Sequence, residues 1–154
     1  MYRILTINPG STSTKMAVFD GEKRLFEETI RHSKTELSQF ENVLSQKPMR
    51  RRVIEEALAR HGLKLADISA ISGRGGLLRP IDSGTYEVNE AMLQDLEGDI
   101  ATVHASALGG IIAYEMGREY GIPAYVVDPV VVDEMEPRAK LTGIPGIERK
   151  SVFH

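Results

Sequence analysis

Short apolar runs separated by turn residues organise the first thirty positions of the chain. Ile4, Leu5 and Ile7 form one run and Met16, Ala17, Val18 and Phe19 form another, with the polar loop of TINPGSTSTK between them. Two strands joined by a polar loop is the economical reading. Asp20-Gly21 then signals a tight hairpin, because glycine tolerates the positive φ that two-residue turns demand. Leu25 to Ile30 returns as the third strand of an antiparallel meander.

The period then changes from two to about 3.6. Ser33 and Glu36 are spaced as a capping box, and Leu37, Phe40, Val43 and Leu44 recur behind them at helical spacing. Pro48 interrupts, and a second helix through Val53, Ile54, Ala57 and Leu58 ends at Gly62. Ile68 to Ser72 reads as a buried strand running into GRGG. Asn89 caps a short helix that reaches Leu96, and a longer helical pattern runs from about Ala105 through Met116 to Gly121. Ala124 to Val127 is the next strand, ending at Asp128-Pro129.

Three hairpin-linked strands followed by helix, strand, helix and strand predict an α/β fold. A helical crossover delivers its strand parallel to the one before, so the expected sheet is mixed and five-stranded. This order matches the ribonuclease-H-like half of the superfamily that contains sugar kinases and actin, an analogy that concerns fold and not function.

Composition narrows the chemistry. The 154 residues carry no cysteine, which excludes a disulfide scaffold and a zinc-cysteine site. A net charge of −3 argues against a nucleic-acid face, since neutralising phosphates needs a local excess of Lys and Arg. The densest basic run, Arg50, Arg51 and Arg52, reads as the solvated first turn of a helix. No apolar run approaches the roughly 18 residues of a membrane span. The N-terminus enters strand-like sequence without a signal peptide, so a cytoplasmic location is expected. The semi-apolar end, Ser151, Val152, Phe153 and His154, either docks on the body or leads into further chain.

Four places carry candidate chemistry. Asn8, Gly10, Ser11, Thr12, Ser13 and Lys15 form either a polar turn or a loop whose amides, hydroxyls and one ammonium surround an anion. It is not a Walker loop, because a strand and not a helix follows. Arg74, within Gly73-Arg74-Gly75-Gly76, is either a surface residue of a glycine-rich turn or a guanidinium given room to grip a carboxylate or phosphate. His104 is either a cap or a neutral imidazole, favoured by the helix dipole, that donates one hydrogen bond to a transferring group. Asp128 ends a strand where Mg²⁺ chemistry needs a carboxylate, whereas Asp133, Glu134 and Glu136 read as a solvated acidic rim.

INPGSTSTK, SGRGGLLRPI, VHAS, AYVVDPVVVDEM and ERKSVFH, in that order and spacing, resemble the N-terminal half of the acetate kinase family and, within it, the butyrate kinase branch above the acetate and branched-chain relatives. The resemblance covers essentially the whole chain. It implies reversible transfer of the γ-phosphoryl group of ATP to a short-chain fatty acid, giving ADP and an acyl phosphate, with Mg²⁺ as cofactor. By the same resemblance Asn8, Gly10, Ser11, Ser13 and Lys15 hold phosphate, and Arg74 holds the acyl carboxylate. His104 and His154 contact the transferring phosphoryl group, and Asp128, with Asn8, lies near the metal.

The family pattern further implies that residues 1–154 are an N-terminal domain. A C-terminal nucleotide-binding domain would supply the adenosine pocket, a second catalytic arginine and much of a homo-oligomer interface. Asn8 occupies the place where sugar kinases carry an aspartate, consistent with an acceptor carboxylate that needs no base. Ala107 departs from the family's expected asparagine, which predicts a missing polar contact. Propionate or acetate specificity is the nearer alternative; a non-enzymatic module that binds an anion or a partner is the more distant one.

Overall fold

The computed structural model of the chain describes residues 2–98 and 103–151. Strands β1 (Arg3–Pro9), β2 (Ser13–Asp20) and β3 (Lys23–Arg31) form the antiparallel meander. Leu5 pairs with Val18 and Asn8 with Lys15, and Gly21 turns the second hairpin at φ +60°. Short helix α1 (Lys34–Leu37) and helix α2 (Lys47–Arg60) lead to β4 (Ala70–Gly73), which lies parallel to β1 with Leu5 opposite Ile71. After β5 (Thr85–Glu87) and α3 (Glu90–Glu97), helix α4 (Ala107–Tyr120) crosses to β6 (Ala124–Val127), parallel to β4. The sheet order is β3-β2-β1-β4-β6-β5.

The sheet therefore has six strands where five were expected. The extra one, β5, pairs antiparallel with β6, Tyr86 opposite Val126. Three residues with one aromatic carry no readable alternation; the partner strand and the Gly84-Asp128 backbone contact create this strand. The expected parallel pair and antiparallel triplet are otherwise as the element order required.

The first helix is also shorter than its apolar spacing suggested. Ser33 Oγ accepts from the Glu36 amide, but the Glu36 carboxylate turns to His32 Nδ1 at 3.6 Å, so only half of a capping box forms. Past Leu37, Asn42 Oδ1 accepts from the Ser45 amide while Ser45 Oγ donates to the Asn42 carbonyl. These local bonds offer the backbone an alternative to continuing the helix. A single 3₁₀ turn, Leu44–Gln46, then feeds α2, with Pro48 in its first turn where a missing amide costs nothing.

Strand alternation sends Leu5, Ile7, Met16, Val18 and Ile71 to one face, where α2 and α4 cover them with Ile54, Leu58, Leu108, Ile112 and Met116. Each such side chain contributes roughly 1.5–3 kcal/mol on burial. Thr6, Asn8, Lys15 and Ala17 point to the opposite face and line a cleft.

Arg50 overturns the reading of its basic run as solvated. Its side chain is fully buried, at 0% exposure, because the helical phase that points Ile54 and Ala57 inward also points Arg50 inward. Arg51 pairs with Glu55 at 2.8 Å and with Glu119 of α4, leaving Arg52 as the exposed member of the three. Nη1 and Nη2 of Arg50 donate to the carbonyls of Ser13 (2.8 Å) and Gly10 (2.9 Å), and Nε and Nη2 to Gln46 Oε1.

Thr14 Oγ1 accepts from Arg50 and lies 2.9 Å from His32 Nε2, so the hydroxyl proton is free to donate to that nitrogen. The other ring nitrogen, Nδ1, faces Glu36. Burial, and next the charge of Arg50, hold the His32 pKa below its ordinary 6.5, against the pull of Glu36. Below about pH 6.5 the unfolded chain therefore takes up the proton before the folded one, and stability falls until the folded imidazole also protonates. Urea titrations should show stability flat above that pH and declining below it, with a shallower decline in His32→Asn; identical pH profiles for the two proteins would refute the assignment.

Candidate active site at the carboxyl edge of the parallel strands

Because β1, β4 and β6 run parallel, the residues that follow them emerge at one edge of the sheet. Asn8 and the 10–13 loop follow β1, Arg74 follows β4, and Asp128 follows β6. The crossover helix α4 must begin at that same edge, which brings His104 into the neighbourhood. Ligands in sheets of this kind gather there.

The loop after β1 is closed by the Gly10 amide, which donates to the Ser13 carbonyl at 2.8 Å. The Thr12 carbonyl accepts from the His32 amide. Ser11 and Thr12 side chains carry no protein hydrogen bond, and Ser11 is exposed. Thr14, in contrast, faces inward and is buried.

Lys15 stands opposite Asn8 in the β1–β2 register, on the same face. Its ammonium pairs with Glu27 at 3.1 Å, and that bond is the main reason the Glu27 carboxyl sits below its ordinary pKa. Arg24 holds the other oxygen of Glu27 at 3.0 Å. Lys15 thus reaches across the sheet to β3, while the loop hydroxyls stay apart from it. Thr6, Asn8, Lys15, Glu27 and Arg74 share a cleft of about 360 Å³ floored by Ala17, Phe19 and Val127.

The Arg74 amide extends the β1–β4 ladder by donating to Ile7, and its Nη1 donates to Asn8 Oδ1 at 3.3 Å. The glycines around it serve a purpose different from the expected one. A Cβ on Gly73 would lie 2.1 Å from the Gly109 carbonyl oxygen, and one on Gly76 2.6 Å from Ala107 Cα. They let the turn sit flush against the first turn of α4, instead of clearing space for the guanidinium, which is exposed. Ala107 is buried at this contact, 2.7 Å from where a Gly76 Cβ would stand, so close packing takes the place of the expected polar contact.

His104 lies two residues before the Ser106 cap of α4 and is exposed. Its Nδ1 accepts from the Ser106 amide at 3.2 Å, with Ser106 Oγ at 3.0 Å. That leaves Nε2–H as the outward donor of the neutral ring. The cap and the donor readings are therefore compatible. No hydrogen bond links His104 to Arg74, Asn8 or Asp128. His154 lies outside the described residues.

Asp128 has φ +38°, the one non-glycine residue with positive φ among the described residues. Its Oδ1 accepts from the Gly84 amide at 2.7 Å and its own amide donates to the Gly84 carbonyl, which leaves Oδ2 outward. A single outward carboxylate oxygen fits Mg²⁺, which is commonly held by one or two carboxylates, waters and substrate phosphates. Asn8 fits less well, since its Oδ1 accepts from Arg74. Among the described residues no group of three or more His, Asp or Glu side chains could hold a metal. Asp133, read as part of a solvated rim, is in fact tied to the Met135 amide and to Lys140, which lower its pKa in that order. It closes its own loop, whereas Glu136 is exposed.

Sequence reasoning missed Arg50, His32 and Glu27. The phase of α2 was a usable signal for Arg50; the pairing of Lys15 with Glu27 depends on strand register and had none.

The architecture is a ribonuclease-H-like α/β fold, of the kind seen in actin and in acetate kinases. No protein-family model matches the chain. Acetate kinase from Porphyromonas gingivalis superposes with a TM-score of 0.61 at 16% identity, over 100% of this chain and 45% of that one. Acetate kinase from Entamoeba histolytica gives 0.60 at 15% identity, over 94% and 40%. A propionate kinase from Francisella tularensis gives 0.51 at 17% identity, over 82% and 36%. The chain spans less than half the length of each of these structures, and at such identities the likeness establishes the fold. Among the described residues no helix is long and apolar enough to cross a membrane.

The Gly109 contact yields a test of how the site is built. A Gly109→Ala Cβ would meet the Arg74 carbonyl oxygen at 2.5 Å, and backbone has nowhere to go, whereas Gly110→Ala meets chiefly the Leu96 Cδ1 end at 2.9 Å. Gly109→Ala should cost about 1–3 kcal/mol and Gly110→Ala less. Urea unfolding of both variants decides it, and equal costs would contradict the packing described.

Proposed function

We propose that the chain is the N-terminal domain of a carboxylate kinase that converts ATP and a short-chain fatty acid, butanoate foremost, into ADP and an acyl phosphate. The observation that carries this reading is the Arg74 guanidinium bonded to Asn8 at the carboxyl edge of the parallel strands, beside a loop with free hydroxyls. The likeness to acetate and propionate kinases supports the fold part of the reading; butanoate rests on the sequence resemblance alone.

In-line phosphoryl transfer asks a protein mainly to position two anions and to neutralise charge on the transferring oxygens. Arg74 would take the acceptor carboxylate in two parallel hydrogen bonds, releasing Asn8 Oδ1. A carboxylate is ionised at neutral pH and attacks without a base, so an amide suffices at position 8. His104 would donate from Nε2 to a phosphoryl oxygen while Ser106 holds its ring. Ser11 and Ser13 of the loop would donate to phosphate oxygens, while Gly10, whose amide is taken by the Ser13 carbonyl, shapes the turn, with Lys15 as a nearby counter-charge. Mg²⁺, when bound, would neutralise charge on the phosphate oxygens, with Asp128 Oδ2 holding it.

The adenosine contacts and the remaining charge partners would come from further chain, in a cytoplasmic homo-oligomer. On that basis the 154 residues alone should form negligible acyl phosphate from ATP and butanoate, measured by trapping with hydroxylamine. In the longer protein, Arg74→Ala should lower kcat/KM by about 10²–10³, the loss expected on removing one transition-state charge partner. Unchanged kinetics in that variant, or turnover at ordinary kinase rates by the short chain, would overturn the proposal. A series from acetate to butanoate and isobutanoate separates the branches of acyl specificity.

A further inference from the structure

Arg50 is a buried cation with no ion-pair partner among the described residues. Its five nitrogen–oxygen bonds of 3.1 Å or less go to neutral acceptors, namely Gln46 Oε1 twice, Thr14 Oγ1 and the carbonyls of Ser13 and Gly10. A longer contact reaches the Ser11 carbonyl at 3.5 Å. The charged groups that face it are Glu36 of α1, which contacts His32 instead, and His32 itself, held neutral. Burial of a charge without an opposite charge is costly. An opposite charge bound nearby would offset that cost.

The loop directly above this guanidinium contributes two or three carbonyl oxygens to it. The Gly10 and Ser13 carbonyls are thus taken by Arg50 and the Gly10 amide by the Ser13 carbonyl, which leaves the exposed Ser11 and Thr12 with their hydroxyls for an outside partner. The guanidinium thereby acts twice: its donors fix the loop conformation, and its charge is felt through one layer of backbone, where screening by water is weak.

We propose that Arg50 is the positioning residue of the 10–13 loop and that its missing counter-charge is a phosphate group bound on the loop's outer surface. This rests on the reading of that loop as the phosphate site. Arg50 does not touch the anion. It presents the loop to it and contributes long-range positive charge.

The test is titration of the 154-residue chain with inorganic pyrophosphate, followed by the backbone amide resonances of Gly10, Ser11, Thr12 and Ser13, in wild type, Arg50→Lys and Arg50→Met. Both substitutions remove part of the hydrogen-bond fork and lower the melting temperature, but only methionine removes the charge. Arg50→Met should bind about tenfold or more weakly, and Arg50→Lys should recover most of that loss, as expected of a charge acting from within a low-dielectric layer. A purely structural role would weaken the two alike. Should Arg50→Met fail to fold, Arg50→Gln takes its place as the neutral variant: binding about tenfold or more weaker than in Arg50→Lys supports the proposal, and any smaller difference between the two overturns it. Wild-type affinity in both folded variants would overturn this inference alone. Absence of pyrophosphate shifts in the wild-type loop would overturn the phosphate-site reading, and this inference with it.

Discussion

One buried guanidinium sets the geometry from which the candidate site follows. Arg50 rises from the first turn of α2 into the space between that helix and the β1–β2 turn, and its donors are taken up by loop carbonyls, Thr14 and Gln46. Removing those partners would leave a desolvated charge, so helix, loop and strand are held in one arrangement. The imidazole of His32 completes the cluster through Thr14. Every donor of the guanidinium is thus hydrogen-bonded, which is the condition under which a buried polar network specifies a unique structure.

The second constraint is topological. Parallel pairing places the ends of β1, β4 and β6 and the start of α4 on one edge, and glycines at 73, 76 and 109 allow the β4 turn and α4 to touch backbone to backbone. Tight packing there fixes where the Arg74 main chain emerges. Among the described residues the Arg74 side chain is held only by a long hydrogen bond to Asn8, which a ligand oxygen could replace. A rigid frame carrying an adaptable guanidinium suits an anion that arrives and leaves. Glu27, on the cleft's other wall, pairs with Lys15.

Much of this was legible in the order of residues. The alternation of Leu5, Ile7, Met16 and Val18, the hairpin at Gly21, the Asn89 cap and the Gly62 and Gly121 helix ends are local signals with local causes, and all of them occur. The helix expected through Leu44 failed because Asn42 and Ser45 bond each other's backbone, a competition that apolar spacing does not register. β5 was invisible because three residues gain strand geometry only from the neighbour they join. Arg50 was misread because charge was weighed above phase, although Ile54 and Ala57 already marked its face of the helix as the inner one.

The sequence by itself determined the elements, their order and hence the class of sheet, since each depends on interactions spanning a few residues. It also marked Asn8, Arg74, His104 and Asp128 as chemically notable, but only as separate positions. Tertiary structure decided which of them meet: Arg74 bonds Asn8 across 66 positions of chain, Asp128 anchors Gly84, and Lys15 faces Glu27. It also decided that an apparently solvated arginine lies beneath the opening loop. The reason is physical, since burial and the loss of water make a charge find partners wherever the fold brings them, without regard to their distance along the chain.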